Sequence, residues 1–125
     1  MLKTIVLVAA GGACGSVFRY LTTILVSKYW QSMFPLATFV VNIFGCFLLG
    51  FLISLLHRQN ILNSDLKWFL VTGFCGGFTT FSAFGLENFK LIENQNFALG
   101  FLYIMMSIVL GIGCIWIGML SGKAM

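Results

Sequence analysis

Long uncharged stretches alternate with short charged breaks along this chain. Between Lys28 and His57 lie 28 residues with no charged side chain. Another 29 uncharged residues separate Glu93 from Lys123, and 19 separate Lys67 from Glu87. The stretch 4–26 is interrupted only by Arg19. A helix needs about 20 mostly apolar residues to cross the hydrocarbon core of a bilayer, so the pattern predicts an all-α membrane protein with four transmembrane helices, near 4–26, 34–56, 66–89 and 98–121. Pro35 opens the second, where its missing N–H costs little. Asn63, Ser64 and Asp65 offer caps for the third, and Glu93-Asn94-Gln95-Asn96 makes a polar hairpin before the fourth. The connections are too short to fold, so 1–125 reads as a single four-span domain. The apolar run after Lys3 resembles a signal peptide; its removal would delete most of the first span, and a retained first helix is expected.

Composition sharpens this picture. The chain is 60% hydrophobic and 8% charged, with a mean hydropathy of +1.04, whereas soluble domains carry about 25% charged residues. That excludes a soluble enzyme, a secreted disulfide scaffold and a disordered tail. The net charge of +4 comes from Lys3, Arg19, Lys28, Arg58, Lys67, Lys90 and Lys123, scattered without the stripe that nucleic acid requires. Cys14, Cys46, Cys75 and Cys114 fall one per span, and the lone His57 sits at a membrane edge; they read as packing residues, not as a metal site. Both termini share a side with the 57–65 loop. That side holds Lys3, Arg58, Lys67 and Lys123, against Lys28 and Lys90, with Arg19 added if it lies near that end. The bias is weak and leaves two readings: a cytoplasmic N-terminus, or a chain inserted both ways.

The spans are not uniformly apolar. Gly73, Gly76 and Gly77, followed by Thr79, Thr80 and Ser82, weaken the third near its middle. Irregular backbone at that depth needs cover from protein or a water-filled cavity, and in transporters such breaks aim carbonyls at ions; small residues also serve close helix crossings. Phe74, Phe78, Phe81 and Phe84 recur on one helical face, suited either to packing or to meeting an anion with positive ring edges. Asn42 shares a face with Thr38 and Gly45 and needs a partner for its amide, either as interhelical glue or as a pore-lining donor. Arg19 is costly inside a span and faces the bundle interior or snorkels to the interface. Glu87 lies three residues before Lys90, giving either a surface pair or a vestibule acid. Gly100, Ser107, Gly111, Cys114 and Gly118 line one ridge of the fourth span, and Gly11-x-x-x-Gly15 does the same in the first. Four helices cannot easily bury both seams and enclose a pore, so a homo-oligomer is expected, most simply a two-fold dimer. No Ser/His/Asp or Cys/His set can converge, which favours permeation over catalysis.

Three segments, 11–20 (GGACGSVFRY), 38–45 (TFVVNIFG) and 73–84 (GFCGGFTTFSAF), together resemble the Fluc/CrcB family of fluoride channels, and chain length, span number and motif order agree. The resemblance implies an antiparallel, dual-topology homodimer in the bacterial plasma membrane with two fluoride pathways. It implies a structural sodium ion at the dimer centre, held by main-chain carbonyls of the broken third helix, here Gly76 and Thr79. Phe81 and Phe84 match the ring-edge fluoride ligands, Asn42 the pore-lining amide, and Tyr103 and Ser107 the polar positions of the fourth span. Glu87 matches an acid at a pathway entrance, and Arg19 the first-span arginine. The implied function is passive export of cytoplasmic fluoride, conferring fluoride resistance. Fluoride enters acidified cells as the neutral acid and dissociates inside, so a passive exit suffices when the membrane potential is inside-negative.

The chain departs from the family pattern at Ala83 and Gly85, where hydroxyls of a polar track are common. Two other readings share its gross features. A small multidrug transporter has four spans and dual topology but requires a Glu in the first span, where this chain has Arg19. A noncatalytic membrane subunit would leave the weakened third span without a purpose.

Overall fold

The computed structural model describes residues 1–61 and 64–124; Asn63, a cap expected above, lies outside them. The described residues are helical with short connections and contain no strand. We label the helices α1 (Leu2–Tyr29), α2 (Leu36–Arg58), α3 (65–78), α4 (Phe81–Glu93) and α5 (Phe97–Ala124). Four segments are long and apolar enough to cross a membrane, α3 and α4 together forming the third, Asp65–Glu93. The first, third and fourth run one to four residues beyond the expected bounds at either end, and the second is displaced two residues toward the C-terminus. The hydropathy pattern marks the hydrocarbon edges, while the helices continue into the interface, where Lys28 and Lys67 lie over the rings of Tyr29 and Trp68. Pro35 stands one residue before α2, not within it; its carbonyl accepts from the Phe39 N–H at 3.1 Å. Ser64 precedes α3, but its side chain makes no cap hydrogen bond.

Two helix ends close alike. Asn60 after α2 and Gln95 after α4 take left-handed backbone, with φ of 55° and 58°. The next N–H reaches back five residues: Ile61 to the Leu56 carbonyl at 3.0 Å, Asn96 to the Leu91 carbonyl at 2.8 Å. This wraps the last turn and satisfies otherwise orphaned carbonyls. At one end of the bundle Lys3 pairs with Asp65, and Arg58 donates to the Lys123 carbonyl at 3.1 Å.

Packing is organised as two seams of backbone contact. On α1, Gly11 and Gly15 press on the carbonyls of Phe69 and Phe74 in α3, and Gly77 of α3 presses on the Gly12 carbonyl, where an added Cβ would meet it at 2.5 Å. Between α2 and α5, Gly50 abuts the Ile115 carbonyl, and Gly118 and Gly122 abut those of Phe47 and Phe51. Small residues let backbones approach where apolar burial gives no drive, because lipid is as apolar as the side chains. These seams close inside one chain. Burying the seams therefore does not by itself require a second copy, because a helix pair formed within the chain suffices.

Residues Trp68–Cys75 of α3 form a wide, i→i+5 helix, a register rare in proteins and frequent at functional sites. Helical backbone then stops after Phe78. Thr79 (φ −75°, ψ 157°) and Thr80 (φ −148°, ψ 121°) are extended, and α4 begins at Phe81. The continuous phenylalanine stripe expected of an unbroken helix is divided there. Phe74 and Phe78 stack at 6.0 Å, packing on Phe18 and Phe44 respectively. Phe78 is 5% exposed and Phe81 84%, so two extended residues have turned the later pair to another environment.

Candidate functional site

The extended pair Thr79-Thr80 removes hydrogen bonds that a helix would have made, and α2 replaces them. Asn42 donates from Nδ2 to the Thr80 carbonyl at 3.0 Å and accepts the Thr80 N–H on Oδ1 at 2.9 Å. This two-point clasp satisfies both backbone groups of one residue within the membrane, where an unpaired amide costs several kcal/mol. Asn42 thus acts on the backbone across the helix interface, and one of its two N–H donors remains uncommitted. The Thr80 hydroxyl caps α4 by accepting the Ala83 N–H at 3.2 Å.

These replacements leave carbonyls of the interrupted turn without helical donors, Gly76 and Thr79 among them. In an unbroken helix Gly76 C=O would accept from Thr80 N–H, and Thr79 C=O from Ala83 N–H. Here the first donor goes to Asn42 and the second to the Thr80 hydroxyl. Gly76 also faces open space, with no atom within 4 Å of an added Cβ. The two carbonyls expected to hold sodium are thus among those deprived of their helical donors, along with Gly77 and Phe78, which would have accepted from Phe81 and Ser82.

A cavity of about 510 Å³ opens beside this clasp. Asn42 lines it from α2, Gly76 from α3, Phe81 and Phe84 from α4, and Ser107 from α5, with Thr79 and Thr80 between. Six of the nine site residues expected from sequence therefore share one space. Phe81 and Phe84 lie with ring centroids 5.9 Å apart. Gly45, Cys46 and Ile108 supply its apolar wall.

A second cleft, of about 340 Å³, lies between α1, α2 and α4. Arg19 and Glu87 line it, with Ser16, Thr23, Thr38 and Thr80; Thr80 borders both spaces. Glu87 makes no pair with Lys90. Its Oε1 accepts from Thr38 Oγ1 at 2.6 Å and its Oε2 from Tyr103 OH at 2.9 Å. Glu87 turns inward because the third-span register after Thr80 directs it at α2 and α5. Tyr103 is fully buried and lines neither space; it meets the site only through its hydrogen bond to Glu87. The sequence reading placed Thr38 on the Asn42 face without giving it a part at the site. Spacing was the available signal, since Thr38 and Asn42 are one helical turn apart. Thr80 was missed as a site residue because it acts chiefly through its backbone. Among the described residues no group of three or more His, Cys, Asp or Glu side chains could hold a metal ion.

The family model described as CrcB-like protein, Camphor Resistance (CrcB), matches residues 6–119. The chain belongs to the CrcB family. It is 49% identical over 122 residues to a protein of Flavobacterium psychrophilum, covering 98% of each chain. Identity to a relative from Azobacteroides pseudotrichonymphae is 48% over 118 residues, 94% of each chain. A Methylobacillus flagellatus relative is 44% identical over 117 residues, 91% of this chain and 90% of its own. All three carry the name fluoride-specific ion channel FluC, which denotes a channel and not an enzyme. With four apolar spans, this CrcB member is a multi-pass membrane protein.

Proposed function

We propose that this CrcB protein is a fluoride-selective channel of the bacterial plasma membrane that lets cytoplasmic fluoride leave passively and so confers fluoride resistance. The observation that carries the reading is the convergence of Asn42, Phe81, Phe84 and Ser107 on one cavity beside the Asn42–Thr80 clasp. Fluoride is small and strongly hydrated, so a route must replace water with donors. The free Asn42 N–H, the Ser107 hydroxyl and the positive edges of Phe81 and Phe84 do this without a fixed cation that would trap the ion. Arg19 raises the local anion concentration in the neighbouring cleft. There the Thr38 and Tyr103 hydroxyls give their single protons to Glu87 and so fix its carboxylate at the edge of the path.

The working form in this proposal is an antiparallel, dual-topology homodimer. The 84% exposure of Phe81 and the open face at Gly76 leave the cavity incomplete in a single chain, and a second copy would close it. The freed carbonyls of Gly76 and Thr79 suit a hard cation such as sodium. Two per chain are too few to replace its hydration, whereas two copies supply four. A sodium ion held there would offset the dipoles of those carbonyls, which Asn42 and the Thr80 hydroxyl keep free. The weak difference in positive charge between the two sides accords with insertion in both orientations. A cationic-drug carrier is disfavoured by Arg19, the only charged side chain lining the α1 wall of the cleft.

The test is Phe81→Ile, assayed for fluoride efflux from liposomes beside size-exclusion and cross-linking of the same preparation. The expected result is a large loss of flux from an intact dimer. Undiminished flux would assign Phe81 to packing.

A further inference from the structure

The loop joining α1 to α2 reaches the polar route from outside both cavities, through Phe34. The Phe34 ring stands edge-on to Tyr103, with centroids 5.4 Å apart and planes at 75°, and meets Phe39 in the same way at 5.5 Å. Its carbonyl is pinned twice, accepting from Trp30 Nε1 at 3.0 Å and from the Leu36 N–H at 2.8 Å. Phe84 also packs on Tyr103, with centroids 5.0 Å apart. Tyr103 is thus a fully buried ring boxed by aromatic neighbours, with its one side-chain polar atom directed at Glu87 Oε2. The phenol oxygen lies on the ring axis, so its distance to Glu87 is set by the χ1 direction of Tyr103, and the aromatic neighbours packed on the ring restrict that direction.

We propose that Phe34, fixed by the Trp30 indole, is a positioning residue that holds Tyr103 in donating geometry toward Glu87 and so sets how readily the anion passes this end of the route. The transport part of the inference rests on the fluoride-channel reading; the positional part does not. Phe39 stands farther from Tyr103, at 6.4 Å with planes at 56°, so Phe34 is the closer of the two.

The test places a ring-fluorinated tyrosine at position 103 alone and records its ¹⁹F NMR signal in lipid nanodiscs. Phe34→Ala is expected to shift and broaden that signal, and Phe34→Tyr to leave it in place. In liposomes, fluoride efflux should fall at least tenfold in Phe34→Ala and recover in Phe34→Tyr. In a Tyr103→Phe background, Phe34→Ala should add no further loss, because the donor it positions is already gone. An unmoved signal in folded Phe34→Ala, or losses that multiply in the double variant, would overturn the proposal. If Phe34→Ala does not fold, Trp30→Phe removes only the indole contact to the Phe34 carbonyl; it should shift the same signal, and no shift would again overturn the proposal. A wild-type protein that carries no fluoride would sink the channel reading, while the NMR signal would still decide whether Phe34 positions Tyr103.

Discussion

Replacing Asn42 by alanine strips both partners from Thr80 at a single stroke. The variant loses hydrogen bonds of 3.0 and 2.9 Å and leaves one N–H and one C=O without partners beside an apolar-walled cavity. Each buried group so orphaned costs about 1–3 kcal/mol, so the extended segment should be destabilised by about 2–6 kcal/mol. At 1.4 kcal/mol per tenfold, the lower figure already raises the population of an opened segment about 30-fold. The assay is amide hydrogen exchange of the protein in lipid nanodiscs, read at Thr80 and the first turn of α4, beside fluoride efflux. Exchange should accelerate there and remain unchanged along the α2–α5 seam, and efflux should collapse while the chain stays folded. Asn42→Asp separates the two halves of the clasp: its carboxylate still accepts the Thr80 N–H but offers nothing to the carbonyl. It should therefore keep much of the Thr80 protection and lose transport. If Asn42→Ala exchanged at the wild-type rate at Thr80, the clasp would not be what holds the extended backbone.

Other consequences follow from the same geometry. Gly50→Ala and Gly118→Ala each drive a methyl into a backbone carbonyl and should each cost about 1–3 kcal/mol by overpacking; Gly113→Ala, which meets nothing within 4 Å, should be near neutral in the same equilibrium unfolding titration. Thr38→Val and Tyr103→Phe each remove one donor from Glu87, and each should lower fluoride efflux by at least fivefold without dissociating the dimer, as read by flux and size-exclusion on the same sample. Exchange of sodium for a bulky organic cation should speed subunit dissociation measured by fluorescence energy transfer, with no effect in a variant whose dimer is covalently linked.

The spans were legible because hydrocarbon length and charge spacing are one-dimensional quantities. Lys3, Lys28, His57, Lys67, Glu93 and Lys123 alone nearly bound the four segments. The weak point of the third span was legible as composition, through Gly73, Gly76, Gly77 and the two threonines. Its geometry was not, because the extended conformation is held by Asn42, 38 residues away in sequence, and the wide register of Trp68–Cys75 has no periodic signature of its own. The phenylalanine spacing misled for the same reason: helical arithmetic carries across Thr79-Thr80 only if the helix does. The small-residue ridges named contact surfaces correctly but not their partners, since a glycine seam looks identical whether it meets α2 of the same chain or of another. Glu87 shows the converse. Proximity to Lys90 along the helix suggested a surface pair, whereas its acceptors were spoken for by Thr38 and Tyr103 on two other helices.

The most direct test of the central claim is fluoride efflux from liposomes containing the purified protein, followed with a fluoride-selective electrode alongside a chloride trace. The cavity beside the Asn42–Thr80 clasp predicts rapid fluoride release with chloride retained. A folded, reconstituted protein that released neither ion, or both at similar rates, would contradict the account.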